Sequence, residues 1–163
     1  MTHIVDARDQ SSYRRVVGTF GSGITIVTAI AGSQRIGMTC QSFVSASLEP
    51  PMIAVFLGMD SRSRAGIESA GHFCVSVLSS KQDNLARIFA TPGVDKFRDV
   101  DLETAPGGCP VIEGALGWLE CKLRTSYEVG DHRCIVGDVQ SLGLGTGKSP
   151  LPYFRGGYGT FAS

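Results

Sequence analysis

The sequence predicts a mainly β protein: an antiparallel barrel or sandwich carrying a few flanking helices. Three observations predict it. Apolar runs rich in Val, Ile and Thr come as neighbours joined by short turns. Helix-period segments are few and do not alternate strictly with strands, as a parallel α/β sheet requires. No Gly-x-Gly-x-x-Gly follows the first strand; the nearest candidate, Gly21-Ser22-Gly23, follows a helical segment, which is the wrong order for a Rossmann site.

Each element has its own signal. Tyr13, Val16, Val17 and Phe20 fall at helical spacing, with Ser11 or Ser12 able to cap the start and Gly21-Ser22-Gly23 to end it. Residues 24–30, with Thr25 and Thr28 among Ile, Val and Ala, read as a strand, and Ala31-Gly32-Ser33 turns it into a hairpin partner over 35–40. Pro50-Pro51 precedes residues 52–57, an apolar run typical of a central strand. Residues 63–70 read as a short helix and 72–78 as a buried strand. Ser79 and Gln82 form a capping box before a helix whose apolar face is Leu85, Ile88 and Phe89. Residues 91–117, broken by Pro92, Pro106, Pro110 and several glycines, read as a long loop over the surface or a neighbouring subunit. From Trp118 to Tyr127 the chain alternates, with Leu119, Cys121, Leu123 and Thr125 on one side and Glu120, Lys122 and Arg124 on the other. Gly130-Asp131-His132 turns it into a last long strand over 133–144, and the tail to Gly159 is aromatic and glycine-rich.

Composition narrows the function. Residues 1–163 suit one domain with a real core. Charged residues are 18% of the chain and the formal net charge is zero, which argues against nucleic acid or an anionic membrane as partner. No apolar run reaches the ~20 residues that span a bilayer, and Met1–Asp6 lacks a signal peptide's regions, so a cytoplasmic location is expected. The five cysteines, at 40, 74, 109, 121 and 134, are odd in number and without a Cys-x-x-Cys pair. Buried reduced thiols are expected, with no metal site.

Chemistry concentrates in Gly37–Pro51. Thr39, Cys40, Ser42, Ser45 and Ser47 crowd a segment where a core strand would carry Val, Ile and aromatics. Small polar side chains let a flat ligand lie close to the backbone and take hydrogen bonds from it. They equally suit a bulge or edge whose hydroxyls satisfy local backbone groups. Further on, Ser61-Arg62-Ser63-Arg64 can cap a helix, aim its first amides at an anion and add charge-assisted donors for a phosphate. A capped helix with solvated arginines is the plainer alternative. A flat ring beside a phosphate suggests a flavin. Gly130-Asp131-His132 and Arg155-Gly156-Gly157-Tyr158 fit either a turn and aromatic filling, or a nicotinamide nucleotide oriented by His132, with Arg155 on its phosphates and Tyr158 stacked on a ring.

Over about residues 12–161 the chain resembles the short-chain flavin reductase family. The similar residues are Phe20–Thr28, Gly37-Met38-Thr39 with Ser42-Phe43, Ser47–Pro51, Ser61-Arg62-Ser63, Phe89-Ala90, Lys96-Phe97, Gly114-Ala115, Trp118–Cys121, Gly130-Asp131-His132, Gly137-Asp138-Val139 and Arg155–Gly159. The resemblance implies a flavin-binding split β-barrel, antiparallel and Greek-key-like. It implies FMN or FAD held by Met38, Thr39, Cys40, Gln41, Ser42, Phe43 and Ser45, with Ser61, Arg62 and Ser63 at the phosphate end and Lys96 and Phe97 nearby. It implies NADH or NADPH at His132, Arg155, Gly156, Gly157 and Tyr158. The family often has Ser where Gln41 stands and Asn where Ser76 stands, so one ring-facing hydroxyl is replaced. The implied activity is hydride transfer from NAD(P)H to flavin at a site shared by two subunits of a homodimer. No side-chain base is needed; His132 is the one candidate orienting residue. Reduced flavin would leave for a separate flavin-dependent oxygenase that hydroxylates an organic, aromatic substrate. The alternatives are a non-catalytic flavin carrier or sensor, and a split-barrel oxidase resembling those acting on pyridoxine phosphate.

Overall fold

The chain begins with α1 (Gln10–Val17) and β1 (Ser22–Gly23), then the hairpin β2 (Thr25–Ala31) and β3 (Gln34–Cys40). Next come β4 (Val44–Leu48), β5 (Pro51–Gly58), α2 (Arg62–Ala70), β6 (His72–Val77) and α3 (Asp83–Ala90). The rest is strand: β7 (Leu102–Thr104), β8 (Pro110–Ile112), β9 (Gly117–Val129), β10 (His132–Leu144), β11 (Pro152–Phe154) and β12 (Gly157–Tyr158). This computed structural model describes residues 4–160; residues 1–3 and 161–163, at the ends of the expected domain, lie outside the described residues.

Seven strands make one antiparallel sheet in the order β3-β2-β6-β9-β10-β5-β4. Its outermost strands, β3 and β4, are consecutive in the chain and joined only by residues 41–43. A flat sheet of this width would hold them about 29 Å apart, six strand spacings. The link from Cys40 to Val44 reaches at most about 14 Å. The sheet must therefore curl until its two edges approach.

The β2 strand is buried on both faces, which is why it reads as a nearly unbroken apolar run. Val27 packs with Val55, Phe73, Ile135 and Ile67 of α2, whereas Ile26 packs with Leu78, Ile112 and Phe89 of α3. The β5 strand is apolar for the same reason, although it lies next to the edge strand β4 instead of at the centre.

Four local expectations change. The helix α1 is capped by Asp9, whose carboxylate accepts the Ser11 and Ser12 amides and is lowered to about 2 by those serines. Its apolar stripe is uncovered: Tyr13 is 58% and Phe20, just past the helix, 77% exposed. Before α3 only half of the capping box forms, since Gln82 Oε1 accepts the Ser79 N–H at 2.9 Å while Nε2 donates to Glu113 O. Residues 91–117 are not all loop, because β7 and β8 pair as a short hairpin.

Glu120 is the fourth. Alternation puts it on the polar side of its strand, yet it is 1% exposed because the 105–111 segment covers that side too. Its carboxylate accepts the amides of Gly107 (2.8 Å) and Cys109 (3.1 Å) and the Ser141 hydroxyl (2.9 Å). Burial alone would raise its pKa, but these donors together hold it below the usual carboxylate range. All five cysteines are free and buried, as expected.

Candidate functional site

Helix α2 starts where the sequence places it. Ser61 is the N-cap, its Oγ accepting the Arg64 N–H at 3.3 Å. The first-turn amides of Arg62 and Ser63 have no internal acceptor among the described residues. Both residues line a cleft of about 900 Å³ bounded by β3, the start of α2 and the 89–97 segment. Met38, Thr39, Ser61, Arg62, Ser63, Lys96 and Phe97 all line it, so seven of the expected flavin residues meet in one place.

Gly37 organises that cleft. Its carbonyl accepts both the Ser63 hydroxyl (3.1 Å) and the Lys96 ammonium (3.0 Å), which brings the two donors side by side. Phe89 and Phe97 meet edge to face over it, with centroids 5.1 Å apart at 83°. A Cβ at position 37 would lie 2.5 Å from Phe89 Cε1 and 3.0 Å from Phe97 Cζ. The sequence signal for this role was a glycine in mid-strand, which marks close approach of another group.

The hydroxyls expected to face a ring are mostly committed elsewhere. Thr39 Oγ1 donates to Ala86 O at 2.6 Å. Ser42 Oγ donates to Phe56 O (2.7 Å) and accepts the Phe56 N–H (2.9 Å), so it ties the 41–43 link to β5. Cys40 is buried with Sγ 3.2 Å from Ser42 Oγ, and its thiol pKa is pushed up by burial. Ser45 is exposed on β4. What the link leaves open is backbone: the amides of Gln41, Ser42 and Phe43 have no internal acceptor among the described residues. Thus the side chains fix the loop, and the loop presents the donors.

Arg64 also turns inward. Its Nη1 pairs with Glu68 and its Nη2 donates to Met59 O at 2.9 Å, steadying the turn that leads to Ser61. Glu68 further accepts the Ser126 hydroxyl at 2.7 Å and meets Arg133 Nε at 2.8 Å. Burial opposes its charge, yet Ser126, Arg64 and Arg133 together lower its pKa.

The positions expected at a nicotinamide nucleotide separate into three groups. His132 opens β10 opposite Gly58, and Met59 N–H donates to Asp131 O at 3.0 Å, so it neighbours the turn into α2. His132 Nδ1 lies 2.6 Å from Asp131 Oδ1, a hydrogen bond that lowers the Asp131 pKa and leaves Nε2 without a partner among the described residues. Arg155 and Gly156 line a second cleft, of about 1040 Å³, against Arg14 and Arg15 of α1. The Arg155 N–H donates to Gly18 O at 2.8 Å and its guanidinium lies 5.1 Å from the Phe154 ring centroid. Gly157 pairs with Phe154, and Tyr158 packs on Tyr153 beneath the Arg87 guanidinium, 4.8 Å from its centroid. Tyr158 and His132 line neither of these two clefts.

The model of the flavin reductase like domain matches residues 17–162. The chain is 39% identical over 158 residues to a flavin reductase of Pseudomonas putida, covering 96% of this chain and 93% of that one. It is also 39% identical to the reductase component of a 4-nitrophenol 4-monooxygenase/4-nitrocatechol 2-monooxygenase from Rhodococcus opacus, covering 98% of this chain and 85% of that one. Among solved structures, a Streptomyces globisporus NADH:FAD oxidoreductase in complex with NAD and FAD fragments superimposes with a TM-score of 0.93 at 36% identity, covering 99% of this chain and 98% of that one. A cleft closed by a helix N-terminus, a link offering unpaired amides and these likenesses agree: the chain belongs to the flavin reductase like domain family.

Proposed function

We propose that the chain is an NAD(P)H:flavin oxidoreductase that supplies reduced flavin to a separate oxygenase acting on an organic, aromatic substrate. The observation that carries this reading is the pair of open amide sets, Arg62–Ser63 on the cleft that Met38 and Thr39 line, and Gln41–Phe43 in the link that directly follows those residues along the chain. The Gln41–Phe43 set suits the ring edge where negative charge grows on reduction, and the Arg62–Ser63 set suits a phosphate. When bound, the flavin and nicotinamide supply the redox chemistry themselves. The chain's part is to hold and orient them. Ser42 and Arg64 brace the two binding segments, Lys96 adds a cation, and His132 orients the nucleotide through Nε2 beside the α2 turn. Arg155 takes the nucleotide's phosphates.

The curled sheet is read as the split β-barrel of the family. A second copy of the chain would cover the apolar stripe of α1 with Phe154, and would bring Tyr158 of one subunit toward the site of the other. Five reduced thiols suit a cytoplasmic location. The test is direct: NADH and free FMN or FAD are added to the purified protein under air and NADH absorbance is followed. Sustained oxidation supports the reductase. A single bleaching event, or none, would instead support the carrier.

A further inference from the structure

The tip of the β9–β10 hairpin stands in the open. Every residue from Tyr127 to His132 is exposed, and the two that flank this stretch, Ser126 and Arg133, are partly covered. Both meet Glu68 of α2. The Ser126 hydroxyl donates to Glu68 Oε1 at 2.7 Å, and Arg133 Nε lies 2.8 Å from the same oxygen. Arg133 Nη2 also donates to the Ser126 hydroxyl at 2.8 Å, which closes a ring of three side chains. The other carboxylate oxygen of Glu68 pairs with Arg64, whose Nη2 holds Met59 O at 2.9 Å. One carboxylate thus joins both flanks of the hairpin tip to the turn that leads into α2. That turn meets the tip again where the Met59 N–H donates to Asp131 O at 3.0 Å.

Elsewhere α2 lies mainly against β2, β3 and β6, so the tie to the hairpin depends on these polar groups. Their cover makes the tie firm. The Glu68 side chain is 17% and the Arg133 side chain 23% exposed, so water screens the pair weakly. Removing one partner of such a pair leaves the other charge covered and unanswered, which is costly. Here it would leave two guanidiniums, Arg64 and Arg133, facing the gap that one carboxylate had bridged. Glu128 does not replace it: it stands 3.5 Å from Arg133 Nη1 on a side chain 69% exposed, where an ion pair contributes little. Glu68 itself lines neither cleft, so it can reach bound ligands only through its neighbours.

We propose that Glu68 is a positioning residue: it locks the hairpin tip against the start of α2 and thereby sets where His132 stands relative to Ser61–Ser63. This rests on the reading above, in which His132 orients the nicotinamide nucleotide. Transfer between two bound molecules demands that the reacting atoms stand about 3–3.5 Å apart, and an error of about 1 Å can cost about a hundredfold in rate. A nucleotide guided by a loose tip and a flavin guided by α2 would lose that registration. Glu68 keeps the two guides in one rigid unit without touching either ligand.

The experiment compares Glu68→Gln, which keeps the shape and removes the charge, with wild type in two readouts. Amide hydrogen exchange of the full chain should speed up about tenfold or more at residues 127–133 and stay unchanged in β2 and β6. Unchanged exchange at 127–133 would overturn the clamp. In an anaerobic single turnover with NADH and FMN or FAD, the hydride-transfer rate should fall about tenfold while flavin Kd stays within about twofold. A lower Tm with an unchanged rate would overturn the positioning role. Glu128→Gln, which takes the same charge from the same hairpin, should leave rate and Kd within about twofold; a loss equal to that of Glu68→Gln would also overturn it. Adding Glu68→Gln to His132→Ala should cost nothing further in rate, since one acts through the other, whereas additive losses would refute that route. Ser126→Ala removes one tie only and should give the same pattern at about threefold, which keeps the test available if Glu68→Gln fails to fold. A wild type that oxidises no NADH, or a His132→Ala variant with unchanged kinetics, would overturn the parent reading instead, and hydrogen exchange would still decide the clamp.

Discussion

Replacing Ser42 by Ala removes one oxygen and strands two backbone groups. Ser42 Oγ both accepts the Phe56 N–H and donates to Phe56 O, at 2.9 and 2.7 Å. A buried polar group left without a partner costs about 1–3 kcal/mol, and Phe56 is half-buried, so some water reaches it. The lower part of that range applies to each group, giving about 2–3 kcal/mol in all. For a chain of 163 residues this lowers Tm by about 5–10 °C. Because the same hydroxyl fixes the 41–43 link, flavin affinity should fall about tenfold alongside. The assay pairs a thermal melt with a flavin titration. Ser45→Ala is the control for stability: Ser45 is exposed, its hydroxyl makes no hydrogen bond among the described residues, and the change should move Tm by less than about 1 °C. A Ser42→Ala melt within about 1 °C of wild type would refute the bracing role.

Other outcomes follow from the same geometry. Gly37→Ala should cost about 1–3 kcal/mol by urea unfolding and weaken flavin binding, since the new methyl displaces Phe89 and Phe97. Arg155→Ala should raise KM for the nicotinamide nucleotide several-fold while flavin Kd stays constant; the reverse pattern would reassign the residue. Glu120→Gln should destabilise by about 1–3 kcal/mol at neutral pH. Because the folded-state pKa of Glu120 is depressed, its contribution is present above the unfolded value of about 4.3 and is lost as pH falls through the folded value. The gap between wild type and Glu120→Gln in urea midpoints should therefore close on acidification. Cys74, Cys109 and Cys121 are buried with thiol pKa values raised by burial, the last two to about 12, so a thiol reagent should label them only after denaturant is added.

The longer strands and helices were legible because composition and punctuation agree there. Residues 24–30 form a short, largely apolar run, Gly32 turns, and Ser61 caps. Glu120 was misplaced because alternation reports which side of a strand a residue takes, not whether that side is covered from afar. The β7–β8 hairpin hid behind Pro106 and Pro110 for a similar reason. At the site the residues were legible but their jobs were not. Hydroxyl-rich sequence looks the same whether the oxygens meet a ligand or, as with Thr39 and Ser42, hold the backbone. The organising role of Gly37 depends on Phe89 and Phe97, far along the chain, so its own sequence neighbours do not show it.

The short link between the outermost strands makes residues 41–43 the seam of the rolled sheet as well as part of the proposed flavin site. A ligand spanning that seam acts as a rivet, tying the two halves of the wrap and raising resistance to unfolding with its concentration. Sequence change there is consequently judged twice, once by the ligand and once by the integrity of the wrap. Chains cut open within the seam should lose both together.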